Sequence, residues 1–326
     1  MKKIITKYKI LKLIYIFLLN FVNSTFYPIK KLNNLLDKLY FYRLIKFHLM
    51  QSNQLILCFE NEIKFVINSS DKVNSKKIYV GKFFPQMKEF DFAINYLEKN
   101  NFEILNLVDI GAHYGNISVP AFKKYNFNNV ISIEPILENF KILNYNIVLN
   151  NLTKSITSFN YFISEKDGIV NIDTYSNNTA AATHSLDLPN KNLKNYKYFN
   201  NLKSSGSIEV EQKSLNSIFS NNKEINYKKT LIWIYAQGSE YKILKGSSNL
   251  LESKPPLVVA FNPVLLQKKD SNYLIKFIKI FEEYEYKSFY NLSKENNVLE
   301  DVNMKQLELL DNKLRKNLNT EFLLLI

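Results

Sequence analysis

The residues with the clearest chemical promise lie between Leu107 and Pro135, in the segment LVDIGAHYGNISVPAFKKYNFNNVISIEP. An apolar run reaches Asp109, Gly111 and Gly115 open a turn, and a helix is expected from about Asn116. A second apolar run ends at Glu134, 25 residues after Asp109. Glycine permits close backbone approach and unusual dihedrals. A helix N-terminus offers unpaired N–H groups. A carboxylate closing the second strand can accept hydrogen bonds from two ribose hydroxyls. The spacing is D-x-G-x-x-x-G. It lacks the second close-approach glycine of a dinucleotide fingerprint, and His113 stands there instead. No G-x-x-x-x-G-K-[ST] phosphate loop is present. A nucleoside without pyrophosphate fits best, with S-adenosylmethionine the obvious one. A purely structural strand–turn–helix is the bland alternative.

Other groups could take part. His113 sits in the loop as a base or through its backbone only. His184, in NTAAATHSL, faces the acceptor or is a solvated loop residue. Glu240 opens a helix after Gln237-Gly238, as a site carboxylate or as a favourable first-turn charge. His48 has only a structural reading. Cys58, the one cysteine, sits in a strand-like run and reads as core, which excludes a disulfide framework and a multi-cysteine metal site. No metal site is expected.

These groups need a scaffold. Short apolar strands at 105–110, 130–134, 156–163, 230–235 and 257–262 alternate with helical stretches at 117–125, 136–149, 240–252 and 271–283. That alternation predicts a mostly parallel sheet covered on both faces, an α/β Rossmann-like arrangement. Residues 284–291 and 321–326 are expected to close it with antiparallel strands, 54–67 to form a hairpin, and 87–99 a helix. Residues 175–207, rich in Asn, Ser and Lys, read as an exposed excursion over the mouth of the sheet.

The chain is 326 residues long with a net charge of +13. Residues 1–50 alone carry +9, so the body is nearly neutral. The cations are 41 Lys and only Arg43 and Arg315, alongside 44 Asn. Arginine is the residue of bidentate phosphate and base recognition. The Lys and Asn excess therefore looks like codon bias, and no nucleic-acid partner is expected. The division expected is a basic helical extension over 1–50 and a catalytic-type domain over 51–326, its cofactor half at about 78–165. Lys2, Lys3, Lys7, Lys9 and Lys12 precede an apolar run from Leu13 to Leu19. A signal peptide, an interfacial helix on anionic lipid and a basic helix packing on the domain all remain open. The expected location is cytoplasmic, with peripheral contact at the inner face of the membrane if the interfacial reading holds.

The chain resembles the FkbM-type methyltransferases over roughly residues 78–326. The marks are VDIGAHYGN, ISIEPILENFKILNYNIVLNN, FISEKDGIVNI, LIWIYAQGSEYKILKGSSNLL and PPLVVAFNP, in that order. The resemblance implies a seven-stranded sheet and methyl transfer from S-adenosylmethionine, commonly to a hydroxyl of a sugar or another small molecule. It implies that Asp109, Gly111, His113 and Gly115 form the methionine-side loop, that Glu134 holds the ribose, and that residues around Phe162, Ile163 and Ser164 border the adenine. The sequence also departs from the family. Where the later motif usually reads I-K-I-D-x-[QE]-G-x-E, this chain has Trp233 at the Lys position and Tyr235 at the Asp position. Asn216 replaces an Asp, and Ala260 replaces a Glu. Tyr235, with an ordinary pKa of ~10, is a poor base at neutral pH. The departures imply a site rebuilt for another acceptor, a catalytically impaired binding module, or aromatic rings that simply fill core space.

Overall fold

The computed structural model describes residues 39–40, 42–43, 54–59, 62–175, 178–181, 183–184, 204–220, 225–293, 299–301, 304–317 and 320–326. The expectations for residues 1–38, including the apolar run and its lipid contact, lie outside the described residues. Among the described residues no helix is long and apolar enough to cross a membrane.

The chain begins with strands β1 (Gln54–Cys58) and β2 (Lys64–Asn68), then helices α1 (Asn74–Gly81) and α2 (Met87–Lys99). Strand β3 (Asn106–Ile110), helix α3 (Ser118–Lys124), strand β4 (Asn129–Ile133), helix α4 (Leu137–Leu149) and strand β5 (Ile156–Phe159) follow. Next come β6 (Phe162–Ile163), β7 (Gly168–Tyr175), a 3-10 turn at Thr179–Ala181, β8 (Thr183–His184) and β9 (Ser204–Lys213). The remainder is α5 (Leu215–Phe219), β10 (Thr230–Ile234), α6 (Glu240–Lys245), α7 (Ser248–Leu251), β11 (Leu257–Phe261), α8 (Pro263–Lys269) and α9 (Tyr273–Glu283). It ends with β12 (Ser288–Asn291), β13 (Leu299–Asp301), α10 (Met304–Asn317) and β14 (Glu321–Leu325).

The central sheet has the order β13-β12-β14-β11-β10-β3-β4-β5. The five strands from β11 to β5 are mutually parallel, and β14 and β12 close the sheet antiparallel. Seven strands match the expected sheet; β13, three residues long, adds an eighth at the edge. Strands such as TLIWI and LVVAF are buried at every position because helices cover both faces. Alternation along each strand divides the core into two layers. One face carries Leu107, Val130, Leu231, Trp233 and Phe322 beneath Phe90 and Leu97 of α2 and Leu143 of α4. The other carries Val108, Ile131, Ile232 and Val259 over Ile243 of α6, Phe277 of α9 and Leu310 of α10.

Two departures from the sequence expectation matter. The stretch 156–163 is split into β5 and β6, and β6 leaves the central sheet for a four-stranded sheet of order β6-β9-β7-β8. Of the excursion expected at 175–207, the described residues form the 3-10 turn at Thr179–Ala181, strand β8 and the start of β9, which pairs with β7 over eight residues. The N-terminal hairpin forms as expected and docks on α4 through two asparagines. Asn146 accepts from Val66 N at 2.5 Å and donates to Val66 O and Tyr114 O, while Asn150 bonds both N and O of Lys64. Each amide thus substitutes for a neighbouring strand.

Candidate cofactor site

Strand order reverses at β3, with β4 on one side and β10 on the other, and the connecting segments leave in opposite directions. A crevice opens at the carboxyl ends of strands at such a point. Here the cleft, about 820 Å³ including its open side, is bordered by Asp109, Gly111, His113, Glu134, Tyr161, Phe162, Ile163, Tyr235 and Gln237. The glycine loop and the strand-end carboxylate, 23 residues apart in sequence, therefore face one space.

Gly111 is obligatory. Its φ is +85°, and a Cβ there would stand 2.1 Å from the Tyr235 carbonyl oxygen. The β3 turn thus passes against the end of β10. Gly115 also has φ +85°, and a Cβ would press on Leu143 and Val119, so its role is packing of the turn onto α3 and α4. Asp109 shares a sheet row with Trp233 and Ser132. Its Oδ2 accepts from Ser118 Oγ at 2.5 Å, and Ser132 Oγ donates to Ser118 Oγ. Burial pushes the Asp109 carboxyl up to about 6.

Glu134 follows β4 and is 5% exposed. Its Oε2 accepts from His113 N at 2.9 Å; its Oε1 accepts from Ile136 N and Asn139 Nδ2, each at 3.1 Å. Burial pushes it up to about 7, opposed by these hydrogen bonds and assisted by the Asp109 charge. A carboxylate has about four acceptor sites, and these donors occupy three. Oε2, with the single described donor His113 N, retains acceptor capacity beside the cleft.

His113 is in the left-handed region, φ +53°. Its ring points away from solvent. Asn116 Nδ2 lies 3.3 Å from Nδ1, and Nε2 lies 2.8 Å from Thr179 Oγ1 and 3.6 Å from Asp71 Oδ2. Burial pushes its pKa down to about 3, which keeps the imidazole neutral, and burial raises Asp71. This ring serves as a neutral donor.

The other anticipated residues fall as follows. Phe162 and Ile163 border the cleft with Tyr161. Ser164 stands one residue beyond: its N donates to Lys213 O, and its carbonyl oxygen packs against Gly246. Glu240 turns back to accept from Ala236 N at 3.0 Å, which fastens the loop after β10 and does not line the cleft. His184 lies on β8, paired with Ile172. Trp233 is fully buried, 5.1 Å from Phe322 and 5.5 Å from Phe90 between ring centroids. Tyr235 meets Phe322 edge-on at 5.2 Å, and burial raises its hydroxyl pKa. Ala260 is buried, and Asn216 bonds Ser248 and Asn249. Trp233 and Tyr235 thus pack against Phe322 on one face of the sheet and also border the cleft.

Sequence reasoning missed Asp71, Asn74, Gln86, Asn139 and Thr179. Asn74, Gln86 and Thr179 line the cleft. Asn139, five residues after Glu134 in EPILEN, was accessible as an amide on the first turns of the helix leaving the carboxylate. The pairing of Asp71 and Thr179 with His113 had no local signal, because Asp71 lies 42 residues and Thr179 66 residues from it.

The sequence profile of the FkbM methyltransferase domain matches residues 109–288. The chain belongs to this family. The match begins at Asp109 and takes in the glycine loop, Glu134, the second sheet and the β10 and β11 strand ends. Among solved structures, this FkbM-family chain is similar to an FkbM methyltransferase from Methylobacillus flagellatus KT, at 17% identity and a TM-score of 0.37, covering 61% of this chain and 43% of that one. It is also similar to a precorrin-6y C5,15-methyltransferase from Geobacter metallireducens, at 11% identity and a TM-score of 0.33, covering 72% and 87%. The chain therefore spans less than half the length of the first of these. Comparison with curated proteins gives no sequence match.

Proposed function

We propose that this FkbM-family chain binds S-adenosylmethionine in the β3–β4–β10 cleft and transfers its methyl group to a hydroxyl of a sugar or another small acceptor. The observation that carries this reading is the convergence of the Gly111 bend and the Glu134 carboxylate on one crevice at the strand-order reversal. The residues present fit the cofactor. Glu134 retains an acceptor site for ribose, and Phe162 with Ile163 offers an apolar border for a purine.

When bound, the cofactor supplies an electrophilic methyl group. The chain's own residues bind and align. Glu134 would accept a ribose hydroxyl at Oε2, and the Gly111 turn would lie beside the ligand at the end of β3. The walls of the cleft would hold the methyl group for in-line approach of an acceptor. Tyr235 retains its proton at neutral pH and serves as a wall.

Calorimetry with S-adenosylmethionine and a labelled-methyl assay on cell-envelope saccharides test the reading together. Absence of both binding and transfer rejects it. Binding without transfer to any saccharide selects a binding module, a reading that the loss of acidic groups at Asn216, Tyr235 and Ala260 would explain.

A further inference from the structure

Thr179 comes from the turn between β7 and β8, far in sequence from the nucleoside loop, yet it touches two of the three residues that donate to Glu134. Its Oγ1 lies 2.8 Å from His113 Nε2, and its carbonyl oxygen accepts from Asn139 Nδ2 at 3.1 Å. His113 N and Asn139 Nδ2 are in turn donors to the two oxygens of Glu134. The four residues close a ring: Thr179, His113, Glu134, Asn139 and back to Thr179. The two hydrogens of the Asn139 amide are both used in it, one on Glu134 and one on Thr179. The Thr179 hydroxyl is itself oriented, donating to Asp71 Oδ2 at 3.3 Å with Tyr114 Oη at 3.1 Å. Neutral His113 donates from Nε2, Thr179 accepts, and Thr179 passes its own hydrogen to Asp71. With the Thr179 hydrogen directed to Asp71, its oxygen is left to accept from His113.

We propose that Thr179 is a positioning residue that, through His113 and Asn139, holds the Glu134 carboxylate in the orientation that receives the ribose diol. This rests on the reading of the cleft as an S-adenosylmethionine site and adds that the second sheet, through its β7–β8 turn, sets cofactor affinity. Thr179 itself need not touch the ligand. Removing its hydroxyl leaves the imidazole Nε2–H without its acceptor, frees the ring to turn, and loosens the His113 N–H that orients Glu134 Oε2. A well-formed hydrogen-bond network fails as a unit more than pair by pair.

The test uses the full chain and S-adenosylhomocysteine. Thr179→Val is expected to weaken binding about tenfold, equivalent to about 1.4 kcal/mol. Thr179→Ser, which keeps the hydroxyl, is expected to bind within twofold of the wild type. The Val penalty should shrink when the ligand is the 2′-deoxy analogue, because the effect travels through the diol; a purely structural role would penalise both ligands alike. On the wild-type chain, S-adenosylhomocysteine should slow amide exchange at 178–181. Equal affinity of Thr179→Val and wild type, failure of Thr179→Ser to rescue, an equal penalty on both ligands, or exchange at 178–181 unmoved by bound ligand overturns the proposal. A wild-type chain that binds no S-adenosylhomocysteine overturns the cofactor reading first, and this inference with it.

Discussion

Glu134 is the residue on which ligand chemistry and pH meet. It is fully buried, and its carboxyl is raised to about 7 against an ordinary 4.5. Its contribution to folding is complete below pH 4.5, where both folded and unfolded chains are protonated. It is lost as pH rises through 7, because the folded state then gives up a proton it held more tightly than the unfolded state did; the loss is on the order of 3 kcal/mol. Ribose hydroxyls donate, so the ionised form is the better acceptor. The affinity for S-adenosylhomocysteine is expected to rise about tenfold between pH 6 and 8 by calorimetry, and to be flat over that range in Glu134→Gln. Gly111 gives a second prediction at this scale. Ala at this position places a methyl 2.1 Å from the Tyr235 carbonyl in a left-handed backbone. The β3 turn must move away from β10, and a loss of more than about 2 kcal/mol of stability is expected in urea melts. Both residues were legible in the sequence, since a glycine after an apolar strand and a strand-end carboxylate are local patterns. The neutral, inward-turned state of His113 was not, because its partners come from distant segments.

At the scale of elements, the hairpin β1–β2 is attached to the body through side chains. Asn146 and Asn150 give α4 two amides, spaced one turn apart, that pair with the β2 backbone as a neighbouring strand would. Asn146→Leu leaves Val66 N, Val66 O and Tyr114 O without their described side-chain partner. A loss of roughly 2–4 kcal/mol is expected, and amide exchange at Val66 should accelerate ahead of the central strands. The alternation of apolar strands and helices made the central sheet readable. The asparagine docking was hidden because asparagine in a helix has no hydrophobic periodicity, and the sequence is rich in it. The same holds for the split of 156–163, where no Gly or Pro marks the change of sheet between Phe159 and Phe162.

Over the whole molecule, the parallel sheet brings Gly111 to the cleft and the β7–β8 turn brings Thr179, which reaches Asp71 in the segment after the hairpin. A ligand that binds only the folded state adds RT ln(1 + [L]/Kd) to its stability. S-adenosylhomocysteine at a hundred times its Kd is expected to add about 2.7 kcal/mol. That shift should be visible as a rise in Tm that Glu134→Ala abolishes. A Tm unmoved at any ligand concentration would contradict the cofactor reading.

The amino-acid sequence by itself determined the core strands β3, β4, β10 and β11, the helices that follow β3 and β4, the glycine bend at Gly111 and the carboxylate at Glu134, since each depends on neighbours within a turn or a strand. It also carried the family, because several segments keep their order. Tertiary structure alone decided the fate of the substituted positions. Trp233 stacks on Phe322, from a strand 89 residues later, and so belongs to the core. It alone brought Thr179 and Asp71 to His113. Hydrogen bonds between distant segments leave no periodic trace, because each needs one donor and one acceptor and nothing of the residues around them.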